Sequence, residues 1–204
     1  RRSERDLPEC EVTYEACNLV HKRLWFLPIT ERFCRCSRGI DCPLNYEEGF
    51  PANSQHTSNR GQLKFCEDLN ENFESCNKEG PALEVLQERV EENESEGGSP
   101  NHLTRTSLFC KCPWPNQFVL NKTTSVGPRS KIFIYVCDEL PRCNTGQTCG
   151  YVRRDTYEVY YTCSCPFDHL CTFQDPFTPS TDEVQKLGLL HFHGESTVAI
   201  CTKK

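Results

Sequence analysis

The chain has 204 residues, of which 16 are cysteine, while Leu, Ile, Val and Phe together make up only about 22% of it. So few large apolar side chains cannot stabilise the chain as one ordinary globular domain of a cytosolic protein. They favour small domains stapled by disulfides in an oxidising compartment. The formal net charge is −6, with no Lys/Arg block and no apolar run near the ~20 residues of a membrane span. We therefore expect a secreted, extracellular protein with no nucleic-acid partner and no membrane insertion.

The cysteines repeat in three blocks along the chain. The first and third blocks open with Leu-Pro-x-Cys and contain a C-x-C followed by a cysteine after five residues. The middle block keeps a four-cysteine version of this plan. Even counts let each block close its own bridges, so we divide the chain into unit one (1–68), unit two (69–138, with a long acidic loop) and unit three (139–204). The predicted disulfide cysteines are Cys10, Cys17, Cys34, Cys36, Cys42 and Cys66 in unit one; Cys76, Cys110, Cys112 and Cys137 in unit two; and Cys143, Cys149, Cys163, Cys165, Cys171 and Cys201 in unit three.

The first boundary has an alternative, because residues 73–76 resemble residues 14–17. Aligning Cys76 with Cys17 would make Cys66 the first cysteine of unit two. That division produces odd counts and forces bridges between units, so we prefer the even one.

The cysteines that unit two lacks suggest a connectivity. If a whole bridge was lost there, its counterparts in the other units are one early cysteine and the cysteine after the C-x-C. Sequence alone leaves other pairings open. The hypothesis is Cys17–Cys42 and Cys149–Cys171, with Cys10–Cys34 and Cys36–Cys66 completing unit one.

Strand patterns outnumber helix patterns. Residues 82–92 are the one helical candidate, since apolar side chains recur there at spacings of three and four. Residues 51–61 read as a polar loop. Residues 131–136 and 157–162 are rich in β-branched and aromatic side chains and predict strands, with a hairpin tip at 153–156. The chain is therefore predicted to be small, disulfide-rich and mainly β, with three related β-sheet or hairpin domains and little helix.

No residue constellation predicts an enzyme. His191 and His193 lie on one side of a possible strand and His169 lies near Cys171, but a third ligand at close spacing is missing, so a polar surface is favoured over a metal site. The chain has no Gly-x-Ser-x-Gly, and the acidic run at 84–96 lacks the pattern of a calcium loop. We expect no catalytic residue, no metal and no cofactor.

Aromatic side chains are the best candidates for a binding surface. In stapled domains much of the core is disulfide, so large aromatics often reach the surface and anchor partners. The alternative is that they pack over the bridges or between the units. We expect Trp25 and Tyr160 in particular to be exposed. The candidate ligand-binding residues are Trp25, Phe26, Leu27, Phe118, Arg153, Tyr157, Tyr160 and Tyr161, and the candidate glycosylation sites are Asn93 and Asn121.

The cysteine motifs resemble those of the Argos, or giant-lens, family of insects. The resemblance is carried by the Leu-Pro-x-Cys openings, by residues 33–36 with Cys42-Pro43, and by the block 137–171, which is similar to the family's atypical EGF-like motif. It implies a secreted inhibitor of EGF receptor signalling whose three β-sheet domains clamp the EGF domain of a Spitz-like growth factor. The receptor itself is not the implied partner. No individual contact residue can be carried over.

A second resemblance is to the centipede scoloptoxin-11 toxins, which have related cysteine spacing. It implies a secreted disulfide-rich toxin acting on an ion channel. Such toxins usually present a basic patch, and the near-neutral charge outside the acidic run does not supply one. The sequestering inhibitor is therefore the favoured function.

Overall fold

The computed structural model describes residues 7–12, 14–23, 25–37, 39–69, 73–77, 79–89, 102–173 and 196–204. In these ranges the regular structure consists of β-strands, and no helix is long and apolar enough to cross a membrane. The strands are β1 (Ala16–His21), β2 (Ile29–Arg32), β3 (Ser54–His56), β4 (Gly61–Phe65), β5 (Leu83–Arg89), β6 (His102–Leu108), β7 (Gln117–Ser125), β8 (Ser130–Asp138), β9 (Thr148–Arg153), β10 (Val159–Tyr161), β11 (His169–Phe173) and β12 (Ser196–Lys203).

The strands form three antiparallel sheets with one topology. Their orders are β2-β1-β4-β3, β6-β5-β8-β7 and β10-β9-β12-β11, so each sheet places its first and fourth strands at the centre. The hairpin between β9 and β10 is where the sequence predicted it. The prediction of three related β-sheet domains is therefore confirmed.

In each unit, a backbone hydrogen bond joins the first cysteine to the C-x-C motif. The backbone N–H of the first cysteine donates to the middle residue of the C-x-C at 3.0 Å in unit one, 2.8 Å in unit two and 2.9 Å in unit three. Cys10, Cys76 and Cys143 are therefore equivalent, and Cys76 does not correspond to Cys17. The described cysteines pair within these units as Cys10–Cys34, Cys17–Cys42, Cys36–Cys66, Cys76–Cys110, Cys112–Cys137, Cys143–Cys163, Cys149–Cys171 and Cys165–Cys201.

The helix predicted at 82–92 is wrong where the structure describes it. Leu83–Arg89 is strand β5, paired with β6 on one side and β8 on the other. Leu83 and Val85 are buried and alternate with Glu84 and Leu86, which is the period of a strand. Two neighbouring strands pair with β5 along its length, and this long-range pairing overrides the helical spacing. The predicted loop at 51–61 likewise contains β3 and the start of β4.

Units one and two share one hydrophobic core. Leu19 and Phe65 of the first sheet pack with Leu83 and Leu108 of the second. An antiparallel bridge between Glu15 and Ser107 extends the contact through the backbone. The few large apolar side chains of the two units are thus combined in one core, because the two sheets bury their apolar faces against each other.

Unit two replaces its missing bridge by an apolar pair. The carbonyl of Ala82 accepts the N–H of Phe109, just as the carbonyls of Cys17 and Cys149 accept from the residues before their C-x-C motifs. Ala82 therefore occupies the position of the early cysteine. Phe118 follows its C-x-C at the spacing of Cys42, and it packs on Ala82 and the two remaining bridges. Phe118, which was predicted to bind a ligand, is partly buried in this packing.

The double variant Ala82→Cys/Phe118→Cys should form a ninth bridge, because the two side chains already meet where the other units carry one. We expect a loss of both new thiols on oxidative folding and a gain of about 3 kcal/mol in unfolding free energy. Thiol titration and peptide mapping measure the first, denaturant unfolding the second.

The matched control is Ala82→Cys/Val119→Cys. Val119 neighbours Phe118 on β7, so its side chain points to the other face of the strand. This control should keep two free thiols. Free thiols in both double variants would contradict the equivalence of Ala82 and Phe118 with the lost cysteines.

Candidate ligand-binding surface

The tip of the β1–β2 hairpin presents an apolar cluster to solvent. Trp25 is 88% exposed, and Phe26 and Leu27 beside it are similarly exposed. Arg23 orders this turn, since its Nε donates to the carbonyl of Leu27 at 2.7 Å and its guanidinium lies 5.2 Å from the ring centre of Phe26. The predicted exposure of Trp25 is confirmed. A pre-ordered aromatic tip loses little conformational entropy when a partner covers it.

The tyrosines of unit three divide between surface and interior. Tyr160 is only 7% exposed, so the prediction that it is exposed is wrong. It lies opposite Tyr151 on β9 and packs with it and Val198. Burial raises its pKa well above the usual value. Tyr157 and Tyr161 remain exposed, because the alternation of β10 and the turn before it direct them away from this packing.

The hairpin of unit three is docked on unit one through a buried polar network. His21 ends β1 and is fully buried, and its Nδ1 lies 2.6 Å from the Glu158 carboxylate of unit three. Its Nε2 lies 3.1 Å from Glu31 on β2. Ser58 donates to the other oxygen of Glu158. Arg60 donates to the backbone carbonyl of Thr156 at 2.9 Å, closing the junction.

Arg153 belongs to this junction, although the sequence placed it on the ligand-binding surface. Its side chain is buried, and its Nε donates to Asp155 at 2.7 Å while a second nitrogen lies 3.2 Å from Glu31. A buried guanidinium is retained where it can pair with carboxylates. Arg153 therefore connects the hairpin of unit three to β2 of unit one.

The carboxylates around His21 control its protonation. Burial alone lowers the pKa of an imidazole, but the hydrogen bonds to Glu158 and Glu31 and their negative charges outweigh burial and raise the pKa of His21 to about 9. At neutral pH the ring is therefore protonated and both nitrogens donate. The junction of units one and three is thus a buried ion cluster, whereas the junction of units one and two is mainly apolar.

Two exposed aromatics that the sequence did not predict as binding residues lie at equivalent turns. A backbone hydrogen bond closes the turn after each C-x-C, from Asn116 to Pro113 in unit two and from His169 to Pro166 in unit three. The residue after the proline of each turn is exposed: Trp114 by 77% and Phe167 by 91%. The signal was present in the sequence, since both follow the same Cys-Pro pair.

The histidines considered as metal ligands and the two glycosylation candidates have different outcomes. His191, His193 and Asn93 lie outside the described residues. His169 is described, and its Nε2 lies 3.1 Å from the hydroxyl of Thr145. Asn121 lies on the exposed part of β7. In the part of the chain that the structure describes, the closest groups of metal-type ligand atoms consist of cysteine sulfurs, and all of these are joined in disulfides.

The whole architecture is similar to that of a solved protein. A crystal structure of unliganded Argos matches with a TM-score of 0.54, covering 100% of this chain and 95% of that chain at 20% sequence identity. No protein-family model matches the chain, and no curated protein matches its sequence. The fold is therefore Argos-like, as the cysteine motifs predicted.

The docking of unit three should weaken in alkaline solution. The pKa of His21 is raised in the folded state from 6.5 to about 9, so its contribution is complete below pH 6.5 and is lost as pH rises through 9. The contribution is up to about 3 kcal/mol. Denaturant unfolding of the wild type and of His21→Gln between pH 6 and pH 10 measures it.

The informative quantity is the difference between the two proteins, because other groups titrate equally in both. We expect the wild type to be more stable than His21→Gln at pH 6 and this advantage to shrink above pH 9. A difference independent of pH would show that His21 is not charged in the junction.

Proposed function

We propose that this protein is a secreted antagonist of EGF receptor signalling that binds an EGF-like growth factor and sequesters it. The observation that carries the proposal is the arrangement of exposed aromatics on three stapled units. Trp25 belongs to unit one, Trp114 to unit two, and Tyr157 and Phe167 to unit three. Aromatic side chains of this kind dominate the energetics of protein interfaces.

Three modest contacts on one rigid frame suffice to hold a small ligand. Linking binding modules makes each later contact intramolecular, which raises its effective concentration. The bridges of each unit and the two inter-unit junctions keep the frame ordered before binding, so the ordering cost is small. A clamp therefore needs no single deep pocket.

The ligand class is proposed on the basis of the Argos-like fold and the shared cysteine motifs. Members of that family sequester the EGF domain of an activating growth factor, and a Spitz-like EGF domain is the partner proposed here, rather than the receptor. The eight bridges are compatible with an oxidising compartment. Secretion, the absence of a nucleic-acid partner and the absence of membrane insertion are parts of the same proposal.

Surface plasmon resonance with two analytes tests the proposal. The chain is immobilised and exposed separately to a purified EGF-like domain and to the receptor ectodomain. Tight binding of the EGF-like domain alone supports sequestration. Binding of the receptor alone, or of neither analyte, contradicts it.

Alanine at the hairpin tip should weaken this binding. Trp25→Ala removes an exposed aromatic anchor, and we expect the affinity for the EGF-like domain to fall by at least about 1 kcal/mol, roughly fivefold. Trp114→Ala/Phe167→Ala should cause a further loss if the turns of units two and three also contact the ligand. Thermal unfolding checks that each variant is folded.

Phe50→Ala is the matched control, because Phe50 is an equally exposed aromatic outside the hairpin tip and the two turns. It should leave the affinity unchanged. If Trp25→Ala binds as well as this control, the hairpin tip does not anchor the ligand.

A further inference from the structure

The second sheet ends in an unusually long free edge. Strand β7 has nine residues and pairs only with β8 in the described part of the chain. The other edge strands are shorter: β3 and β10 have three residues, β2 has four and β11 has five. The seven-residue β6 is partly covered, since Ser107 pairs with Glu15 of unit one.

The end of this edge projects into solvent. Every residue from 121 to 129 is exposed, including the turn that joins β7 to β8. Exposed edges of this length offer unpaired N–H and C=O groups to strands of other molecules. Natural proteins protect such edges against association, often with charged side chains. In β7 the only charged residue among nine is Lys122.

A bulge interrupts the edge at Asn121. The register with β8 shifts between Leu120 and Lys122, so Asn121 has no partner residue in the β7–β8 register. A bulged residue turns its side chain away from the regular alternation of the strand. Asn121 and Thr123 are both exposed, and they form the acceptor triplet Asn121-Lys122-Thr123.

We infer that Asn121 carries an N-linked glycan that covers the free edge of β7. A bulky, hydrated glycan at the bulge prevents a second strand from approaching the outer side of β7. The geometry fits this role, because the acceptor lies in the middle of the longest free edge. The glycan is thus a device against edge-to-edge association of the secreted protein.

The modification is a transfer from a lipid-linked oligosaccharide diphosphate in the secretory pathway. The amide nitrogen of Asn121 forms a bond to the anomeric carbon of the first sugar, while the bond from that carbon to the diphosphate oxygen breaks. The lipid diphosphate leaves with the electron pair, and the amide nitrogen loses one proton. No oxidation or reduction takes place.

Site-resolved mass spectrometry of the full chain, secreted from insect cells behind a signal peptide, tests the acceptor. We expect the peptide containing Asn121 to carry a glycan that peptide N-glycosidase removes. Asn121→Gln and Thr123→Ala should lose it, whereas Thr123→Ser should retain it. Asn116→Gln, an asparagine outside any acceptor triplet, should change nothing. An unmodified Asn121 in the secreted wild type overturns the inference.

Sedimentation velocity tests the protective role separately. Asn121→Gln should self-associate at concentrations where the glycosylated wild type stays monomeric, and a second change of Val119 to Pro, which disrupts the same strand, should restore the monomer. A glycosylated wild type and an equally monomeric Asn121→Gln would overturn edge protection. The inference rests on secretion, which is part of the proposed function, but neither measurement involves a growth factor, so ligand sequestration can fail without changing either outcome.

Discussion

The burial of strand β1 is the constraint on which the arrangement of the three units depends. All six of its residues are buried, and it lies between β2 and β4 at the centre of the first sheet. Leu19 enters the core shared with unit two, while His21 enters the ion cluster shared with unit three. One strand therefore contacts both other units, and unit one is the hub of the molecule.

The two junctions of unit one are held by different kinds of interaction. The junction with unit two is mainly apolar, although the side chain of Gln55 exchanges two buried hydrogen bonds, of 3.0 and 3.2 Å, with the backbone of Cys112. At its rim Arg105 donates two hydrogen bonds of 2.8 Å to Glu11. The junction with unit three consists of charged and polar groups that must each find a partner. Burying such groups carries a desolvation cost, and removing one partner leaves an uncompensated charge. The directional contacts of this polar junction therefore fix how unit three is oriented on unit one.

The repeated unit tolerates a change of chemistry at one position but preserves its geometry. Units one and three carry a bridge where unit two packs Ala82 against Phe118. All three units keep the backbone hydrogen bond from the first cysteine to the C-x-C. All three also keep the turn after the C-x-C, which in unit one is closed by the N–H of Ile40 donating to the carbonyl of Ser37. The backbone pattern is thus the common element, and the third bridge is an addition to it. The turns are also where Trp114 and Phe167 reach solvent.

Cysteine spacing was enough to predict three related β units. The bridge missing from unit two limited the partner of Cys42 or Cys171 to an early cysteine without deciding which one, and the structure confirms the hypothesis of Cys17–Cys42 and Cys149–Cys171. The exposure of Trp25 was expected because disulfides take the place of much of the apolar core in a stapled domain. The sequence could not place Leu83–Arg89 in a strand or bury Tyr160, since those outcomes depend on neighbouring strands and on packing against distant residues. The ion cluster of His21 and Glu158 joins positions 137 residues apart, and such a contact leaves no local pattern. Local chemistry therefore determined the units, and only the tertiary structure decided how they are joined and which side chains remain for a partner.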